Sequence, residues 1–493
     1  MSHYNPDPNK NVNLTIDGIP VTVPEGTTIL EAARKVKVMI PTLCNCSGLG
    51  KRAVCRLCVV ECDGRGKLLP ACSNDVWEGV KVVTNNLRLL GIRKTIVELL
   101  LTEHPPECLS CVKNKKCELQ DLAAAFGIRD IPFSRSAGKR RPQKSESGVF
   151  IRDMDKCVKC GRCVEVCQEI QGVRAINTSC RSENYEICAP YGQDLENSSC
   201  VFCGQCAAVC PVGAIYGQDD TAEVQAILND NGCHAAALIM PAAIAGIEKE
   251  LGLPPASISC GILAAALKRL GFAKVFDASF FASHAIREEK LELLDRMKNG
   301  GKLPMISGCS PALKNFVLKF YPDLAGHLPS GKNPALAFRD SLRENCPEFA
   351  GFDKSKTASV SIVPCISKKL ETLRQKNSNE PQTDFSLTPQ EIARMINTAG
   401  IDLRGLEGSP LDSFPGNSQG EEIMPEGAKI KTLSIRALAN ARPVLDAVQK
   451  GECDAGYIEI VCCPMESSCA SSGEPTHDGG QSSQAITLNG FMQ

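Results

Sequence analysis

The sequence predicts a multidomain chain, α+β in its first half and α/β in its second, and three observations carry that expectation. Residues 12–23 alternate apolar and polar positions about an Asp17-Gly18 turn, and residues 27–36 then switch to helical spacing. Between residues 44 and 210 cysteines recur in closely spaced groups. After residue 221, Ala-rich helical patterns such as "SCGILAAALKRLGF" alternate with short apolar runs such as "AALIM", "KVFDAS", "KLPMIS" and "VSIVPC", as in helices packed on a sheet.

Composition narrows the function. A length of 493 residues allows about three domains at roughly 150 residues each. Lys plus Arg (55) and Asp plus Glu (56) nearly cancel, which gives no electrostatic reason to expect nucleic acid or an anionic membrane as partner. No apolar run reaches the roughly 20 residues of a membrane span. The stretch "MSHYNPDPNKNVNL" has neither the basic and apolar regions of a signal peptide nor a twin arginine, so a cytoplasmic location is expected. In that reducing setting, 28 cysteines with recurrent CxxC spacing point to metal binding and not to disulfides.

Each element has its own signal. "VNLTIDGIPVTV" (12–23) reads as a β-hairpin and "TTILEAARKV" (27–36) as a short amphipathic helix opened by Thr caps. A Cys-rich loop follows, and "NNLRLLGIRKTIVELLLTE" (85–103) has apolar residues at helical spacing. "SRSAGKRRPQKSESG" (134–148) is a basic, polar linker, and a second Cys-rich block fills 153–217. Residues 374–430 are interrupted and polar, with "KNSNEPQTD" and "DSFPGNSQGEE" acting as loops. "GHLPSGKN" (326–333) imitates a phosphate-binding loop, but Asn333 replaces the Ser or Thr and Pro334 sits where the helix should begin. No GxGxxG stands in a strand-turn-helix context, so flavin and nicotinamide are expected on another subunit.

The clearest metal signal is a pair of runs, Cys157-x2-Cys160-x2-Cys163-x3-Cys167 and Cys200-x2-Cys203-x2-Cys206-x3-Cys210-Pro211. Both are bacterial ferredoxin runs, in which three thiolates hold one cubane and the fourth reaches across to the other. On that logic Cys157, Cys160, Cys163 and Cys210 hold one [4Fe-4S] cluster, and Cys200, Cys203, Cys206 and Cys167 hold a second. Zinc ribbons use paired CxxC instead, not this run repeated.

Two further groups lie upstream, Cys44-x10-Cys55-x2-Cys58-x13-Cys72 and His104-x3-Cys108-x2-Cys111-x5-Cys117. The first follows the hairpin and helix of a β-grasp-like unit. It resembles the [2Fe-2S] domain that opens iron-only ([FeFe]) hydrogenases and the large iron–sulfur subunit of respiratory complex I. The second resembles the motif of one His and three Cys that follows in the same families and holds a [4Fe-4S] cluster there. The resemblance thus implies a [2Fe-2S] cluster on Cys44, Cys55, Cys58 and Cys72, with Cys46 and Cys62 as ordinary thiols, and a [4Fe-4S] cluster on His104, Cys108, Cys111 and Cys117. Imidazole in place of thiolate makes a cluster less negative and should raise its potential.

The order of these motifs, followed by an α/β domain, resembles the iron-only hydrogenase catalytic subunit over nearly the whole chain. "RLGFAKVFDASFFASHAIREE" (269–289) is similar to the segment leading to that family's acidic proton-path residues, with Glu289, Glu292 and Ser330 as counterparts that are expected here to be surface or loop residues. "ISGCSP" (306–311), "VPCISKKLE" (363–371) and "YIEIVCCPMESSCASSGEP" (457–475) are similar to its three cluster-binding loops. The departures are specific. Cys309 keeps the proton-relay place, but Ser310 stands at the first ligand place; Cys365 and Cys463 keep theirs, with Lys368 and Glu371, while Ser467 stands where the bridging Cys should be. A serine hydroxyl is a poor iron ligand because it deprotonates far less readily than a thiol.

The resemblance therefore implies four domains: 1–85 ([2Fe-2S] β-grasp), 86–133 (His-ligated [4Fe-4S]), 134–220 (two-cluster ferredoxin) and 221–493 (degenerate hydrogenase-like α/β). It implies an electron-relay subunit without a diiron H-cluster. Cys309, Cys365, Cys463 and Cys469 could still hold a fourth, plain [4Fe-4S] cluster, or be structural thiols. The expected partners are a flavin- and NAD(P)-binding iron–sulfur subunit, a small [2Fe-2S] subunit, a formate dehydrogenase or similar catalytic subunit, and ferredoxin, with electron bifurcation as one mode. A working hydrogenase with an altered cluster, or a hydrogen or redox sensor, are the alternatives. Cys180, Cys188, Cys233, Cys260, Cys346 and Cys453 are expected to be buried thiols.

Overall fold

The N-terminal hairpin forms as the alternation requires. Strands β1 (Asn11–Ile16) and β2 (Ile19–Pro24) pair antiparallel with Ile16 opposite Ile19, which leaves Asp17-Gly18 as a two-residue turn. Asp17 (φ 49°) and Gly18 (φ 81°) both occupy the left-handed region such a turn demands. The Ile29–Lys35 helix carries a reciprocal capping box between Thr28 and Glu31. With β3 (Val59–Cys62), β4 (Leu68–Pro70) and β5 (Lys81–Val83) the hairpin forms a sheet of order β2-β1-β5-β3-β4. Val12, Leu14, Ile16, Ile29, Leu30 and Val60 fill the core beneath it, and Cys62 belongs to that core.

The structure, a computed structural model, describes residue 7 and residues 9–63, 68–134, 144–147, 149–230, 232–349, 357–373, 384–413, 429–463 and 482–487. The Leu87–Glu103 helix, capped by Asn86, leads to the short Glu118–Ala125 helix. Next comes a three-stranded sheet of β6 (Lys144–Ser147), β7 (Phe150–Asp153) and β10 (Ile215–Gly217), in the order β10-β7-β6. A hairpin of β8 (Asn177–Ser179) and β9 (Glu186–Cys188) separates the two ferredoxin runs.

The C-terminal half contains two four-stranded sheets. The first is all parallel: β12 (Lys274–Asp277), β11 (His234–Ile239), β14 (Thr357–Ile362) and β15 (Asp384–Leu387), in that order. The second runs β13 (Met305–Ser307), β17 (Tyr457–Val461), β16 (Lys429–Arg436) and β18 (Ser482–Thr487), with only the β16–β18 pair antiparallel. Parallel strands buried on both faces read as short apolar runs, which is the pattern in the sequence. The two sheets have different cores. The first packs on Leu263, Leu267, Ile392 and Ile396. The second shares one continuous core with the Cys-rich region, from Leu43 and Val97 through Phe150 to Phe316, Leu438 and Ile460.

Within the interrupted, polar stretch 374–430, β15 and the Pro389–Thr398 helix, with a Thr388–Glu391 capping box and Pro at its start, are regular and buried, while most of the two expected loop stretches lies outside the described residues. One expectation needs correction: the unassigned cysteines are not buried, since Cys180 is exposed and Cys188, Cys233, Cys260 and Cys453 are half-buried; the Cys346 side chain lies outside the described residues.

Candidate iron–sulfur centres

No disulfide links the described cysteines, so their thiols are available as ligands. Among the described residues no three His, Cys, Asp or Glu side chains close tightly around a single ion. Ligands of a polynuclear cluster surround a larger object than one ion.

In the first group the four thiols act on one another: Cys55 and Cys72 hold the Cys44 thiol below the ordinary range and Cys72 does the same for Cys58, while Cys55 and Cys72 are themselves pushed above it, as in thiols sharing protons in a small space. Cys44, Cys58 and Cys72 are buried and Cys55 is half-buried.

In the second, His104 ends the Leu87–Glu103 helix and Cys117 caps the Glu118–Ala125 helix. Burial pushes the Cys117 thiol up, and the neighbouring Cys111 and Cys108 push it further. A Cβ on Gly213 would lie 2.7 Å from the Cys111 sulfur, so the ferredoxin region presses directly against this group.

The ferredoxin runs behave as two copies of one backbone. Gly161 (φ 78°) and Gly204 (φ 75°) follow the second Cys of each run, and Lys159 (φ 54°) and Phe202 (φ 60°) precede it. A left-handed non-glycine residue costs about 1–2 kcal/mol, and both copies accept that cost at the same position. Backbone N–H groups of Lys159 and Phe202 donate to the Cys157 and Cys200 sulfurs, each at 3.4 Å, and the Ala175 N–H donates to Cys167 at 3.2 Å.

The two runs lie against each other in space. Cys160 neighbours Cys210 and Cys157, and Cys163 neighbours Cys157, Cys160 and Cys210, while Cys206 neighbours Cys203, Cys200 and Cys167. Burial dominates throughout, pushing Cys160 up to about 12 and Cys200 to about 11, with Cys163, Cys203 and Cys206 well above the ordinary thiol. Such thiols are poor free nucleophiles, since a buried thiolate needs a countercharge that iron would supply.

The last group sits where loops leave three strands. Cys309 follows β13, Cys365 follows β14, and Cys462 and Cys463 follow β17. Cys309, Cys365 and Cys463 lie near one another, and Cys462, which the sequence reading passed over, lies beside them. Cys309 is open on one side, yet burial of its surroundings pushes it up to about 11 against the pull of Lys368. Cys469 and Ser467 lie outside the described residues. Ser310 has become a helix cap: its hydroxyl accepts from the Ala312 N–H at 3.3 Å and lies 3.1 Å from the Ser367 hydroxyl. Glu289 and Glu292 are half-buried residues of the long Ser279–Asn299 helix, not surface loop residues. Glu289 accepts from the Tyr457 hydroxyl (2.8 Å), and Glu292 from the Ser330 N–H (2.9 Å) and hydroxyl (2.8 Å).

Polar latches fix the groups relative to one another. Arg162 is 5% exposed and grips Glu118 with both terminal nitrogens (2.6 and 2.7 Å) while donating to the Asn45 carbonyl (3.0 Å). Three Cys-bearing segments meet at that guanidinium. Lys319 donates to the Ser198 and Cys200 carbonyls, both at 2.8 Å, and Asn315 to that of Val201 at 3.2 Å. Ile366, beside Cys365, fills the space over Gly204 and Gly217. Gln205 reaches the Cys463 sulfur (3.8 Å), and Cys203 neighbours Cys462.

Comparison with known proteins follows the same layout. Residues 9–87 match the 2Fe-2S iron-sulfur cluster binding domain, and 93–132 the NADH-ubiquinone oxidoreductase-G iron-sulfur binding region. Residues 148–216 match the ferredoxin-like domain of NADH-quinone oxidoreductase subunit 3, and 234–425 the C-terminal domain of the iron only hydrogenase large subunit. The NADP-reducing hydrogenase subunit HndD of Solidesulfovibrio fructosivorans is 37% identical over 83% of this chain and 72% of its own length. Iron hydrogenase 1 of Clostridium pasteurianum is 30% identical over 83% of this chain and 71% of its own. The NADPH-Fe(3+) oxidoreductase subunit alpha of Geobacter sulfurreducens is 36% identical, over 42% of this chain and 24% of its own. Among the described residues no helix is long and apolar enough to cross a membrane. With two such relatives matched over most of both chains, this chain belongs to the iron-only hydrogenase large-subunit family.

Proposed function

We propose that this chain is the electron-relay subunit of an NAD(P)H- and ferredoxin-linked oxidoreductase, wired by one [2Fe-2S] and three [4Fe-4S] clusters. The observation that carries the reading is contiguity: each thiol group abuts the next through a named contact. The Arg162 latch ties the first group to the ferredoxin runs, Gly213 lies against Cys111, and Cys163 neighbours Cys206. The ligands are Cys44, Cys55, Cys58 and Cys72; His104, Cys108, Cys111 and Cys117; Cys157, Cys160, Cys163 and Cys210; and Cys200, Cys203, Cys206 and Cys167. The clusters supply one-electron chemistry when bound. The protein's own part is to exclude water, donate N–H groups to sulfur and fix spacing.

Flavin and NAD(P) sit on a partner subunit in this reading, together with a small [2Fe-2S] subunit, ferredoxin and a formate dehydrogenase or similar catalytic subunit, in the cytoplasm. Residues 221–493 serve as a scaffold and docking domain without a diiron centre, because Ser310 is spent on a helix cap. A second reading, a hydrogenase with an altered cluster, draws on the meeting of Cys309, Cys365, Cys463 and Lys368. An infrared spectrum of anaerobic protein coproduced with hydrogenase maturation proteins separates the two. Absence of carbonyl and cyanide stretches, with about 14 or more irons per chain, is expected of a relay. Their presence would make the chain a hydrogenase.

A further inference from the structure

The described part of the C-terminal site holds four thiols, not three. Strands β13 and β17 are parallel neighbours, with Ser307 opposite Glu459, so their C-terminal loops emerge side by side. Gly308 packs directly on the Ile460 carbonyl, which draws the Cys309 loop over the end of β17. The Ser310–Ser367 hydroxyl contact at 3.1 Å brings the Cys365 loop against both. Cys462 and Cys463, at 2% and 8% exposure, follow β17 into this junction at consecutive positions, with Cys309, Cys365 and Ser310 among the groups that act on the Cys462 thiol. Ser310 thus stands near these thiols, with Cys462 close by.

Two further observations point to an occupant. Gln205 aims its amide nitrogen at the Cys463 sulfur, as donors to cluster sulfur do. Lys368 adds a positive charge beside Cys309, which favours a group of net negative charge.

We propose that Cys309, Cys365, Cys462 and Cys463 hold an additional [4Fe-4S] cluster, with Cys462 supplying the thiolate that Ser310 cannot. This rests on the relay reading and extends it by one centre, next to the Cys200 group through the Cys203–Cys462 contact. The donor set is all thiolate, so the cluster is a plain one-electron carrier. Cys469 is not needed as a ligand.

The test uses the full chain, produced anaerobically and reconstituted with iron and sulfide. The unaltered chain should carry about 18 irons, and Cys462→Ala about 14, with loss of one reduced [4Fe-4S] EPR signal and retention of the [2Fe-2S] signal. Cys365→Ala should do the same, and Cys469→Ala should change nothing. Adding Ser310→Cys to Cys462→Ala should restore the lost irons and signal, an outcome that a general folding defect would not give. Full iron in Cys462→Ala, loss of a cluster in Cys469→Ala, no rescue by Ser310→Cys, or zinc in place of iron would each overturn the assignment. Fewer than about 14 irons in the unaltered chain would instead refute the relay reading beneath it.

Discussion

A single missing methyl group sets the contact between the His-bearing group and the ferredoxin region. Gly213 lies where any side chain would meet the Cys111 sulfur at 2.7 Å and the Val112 side chain at 3.6 Å. Real Cβ atoms do not come so close to sulfur, so Gly213→Ala must move either the Cys111 loop or the segment after Cys210. We expect this variant to shift or broaden the EPR signal of the His-ligated cluster while leaving the [2Fe-2S] signal unchanged. Equal loss of every cluster signal would mean that the contact is merely structural. The serine at 310 has the opposite character: it is a substitution the fold has absorbed, since a hydroxyl at the head of the Pro311–Phe320 helix caps it as a thiol would not.

At the scale of elements, the join between the ferredoxin region and the first parallel sheet is a buried ion triad. Lys369 is 1% exposed and donates to Asp220 (2.8 Å), Glu391 (2.6 Å) and the Gln218 carbonyl (2.8 Å). Removing one partner from such a set typically costs about 3–5 kcal/mol, because the charges left behind remain desolvated. Lys369→Met should therefore lower the apparent melting temperature of the C-terminal half by roughly 10 °C, at about 2–4 °C per kcal/mol for a unit of that size. Thermal scans by circular dichroism read this directly; a change under about 2 °C would mean that water reaches the carboxylates. The same region shows why part of the fold was not legible. The β15 sequence "DFSL" looks like loop because Asp384 and Ser386 are polar, yet both are buried with internal partners: Arg343 and Ser359 for Asp384, Thr372 for Ser386. Those partners come from distant segments, which local periodicity does not register. Thr388 and Glu391 were a readable capping box, masked by polar neighbours on both sides. The thiol groups were legible for the converse reason. Their spacing is local, and even the crossing of Cys167 and Cys210 is written into the repeated run. The nearness of Cys462 to Cys309 was not, because it depends on β13 and β17 being neighbours.

At the scale of the molecule, the cysteines are themselves core residues. Cys117, Cys163, Cys167, Cys200, Cys206 and Cys210 belong to the same continuous core as Phe316, Leu438 and Ile460 under the second C-terminal sheet, whereas the first sheet has a separate core containing no described cluster thiol. On the proposed ligand set, iron binding and folding should then be coupled in one part of the chain and not in the other. The Arg162 junction is the hub of the coupled part: Arg162→Ala should release the Asn45 loop and raise amide exchange there, with Glu118, already 44% exposed, rehydrating at a cost of about 1–2 kcal/mol. Chelation is the larger perturbation. When iron is stripped, hydrogen exchange should accelerate across residues 149–217 and in β13, β16 and β17, while β11, β12, β14 and the Cys260–Arg269 helix keep their protection. Loss of protection in both sheets together would show that the two cores unfold as one, and that the Lys369 triad, not the shared apolar core, sets the cooperative unit.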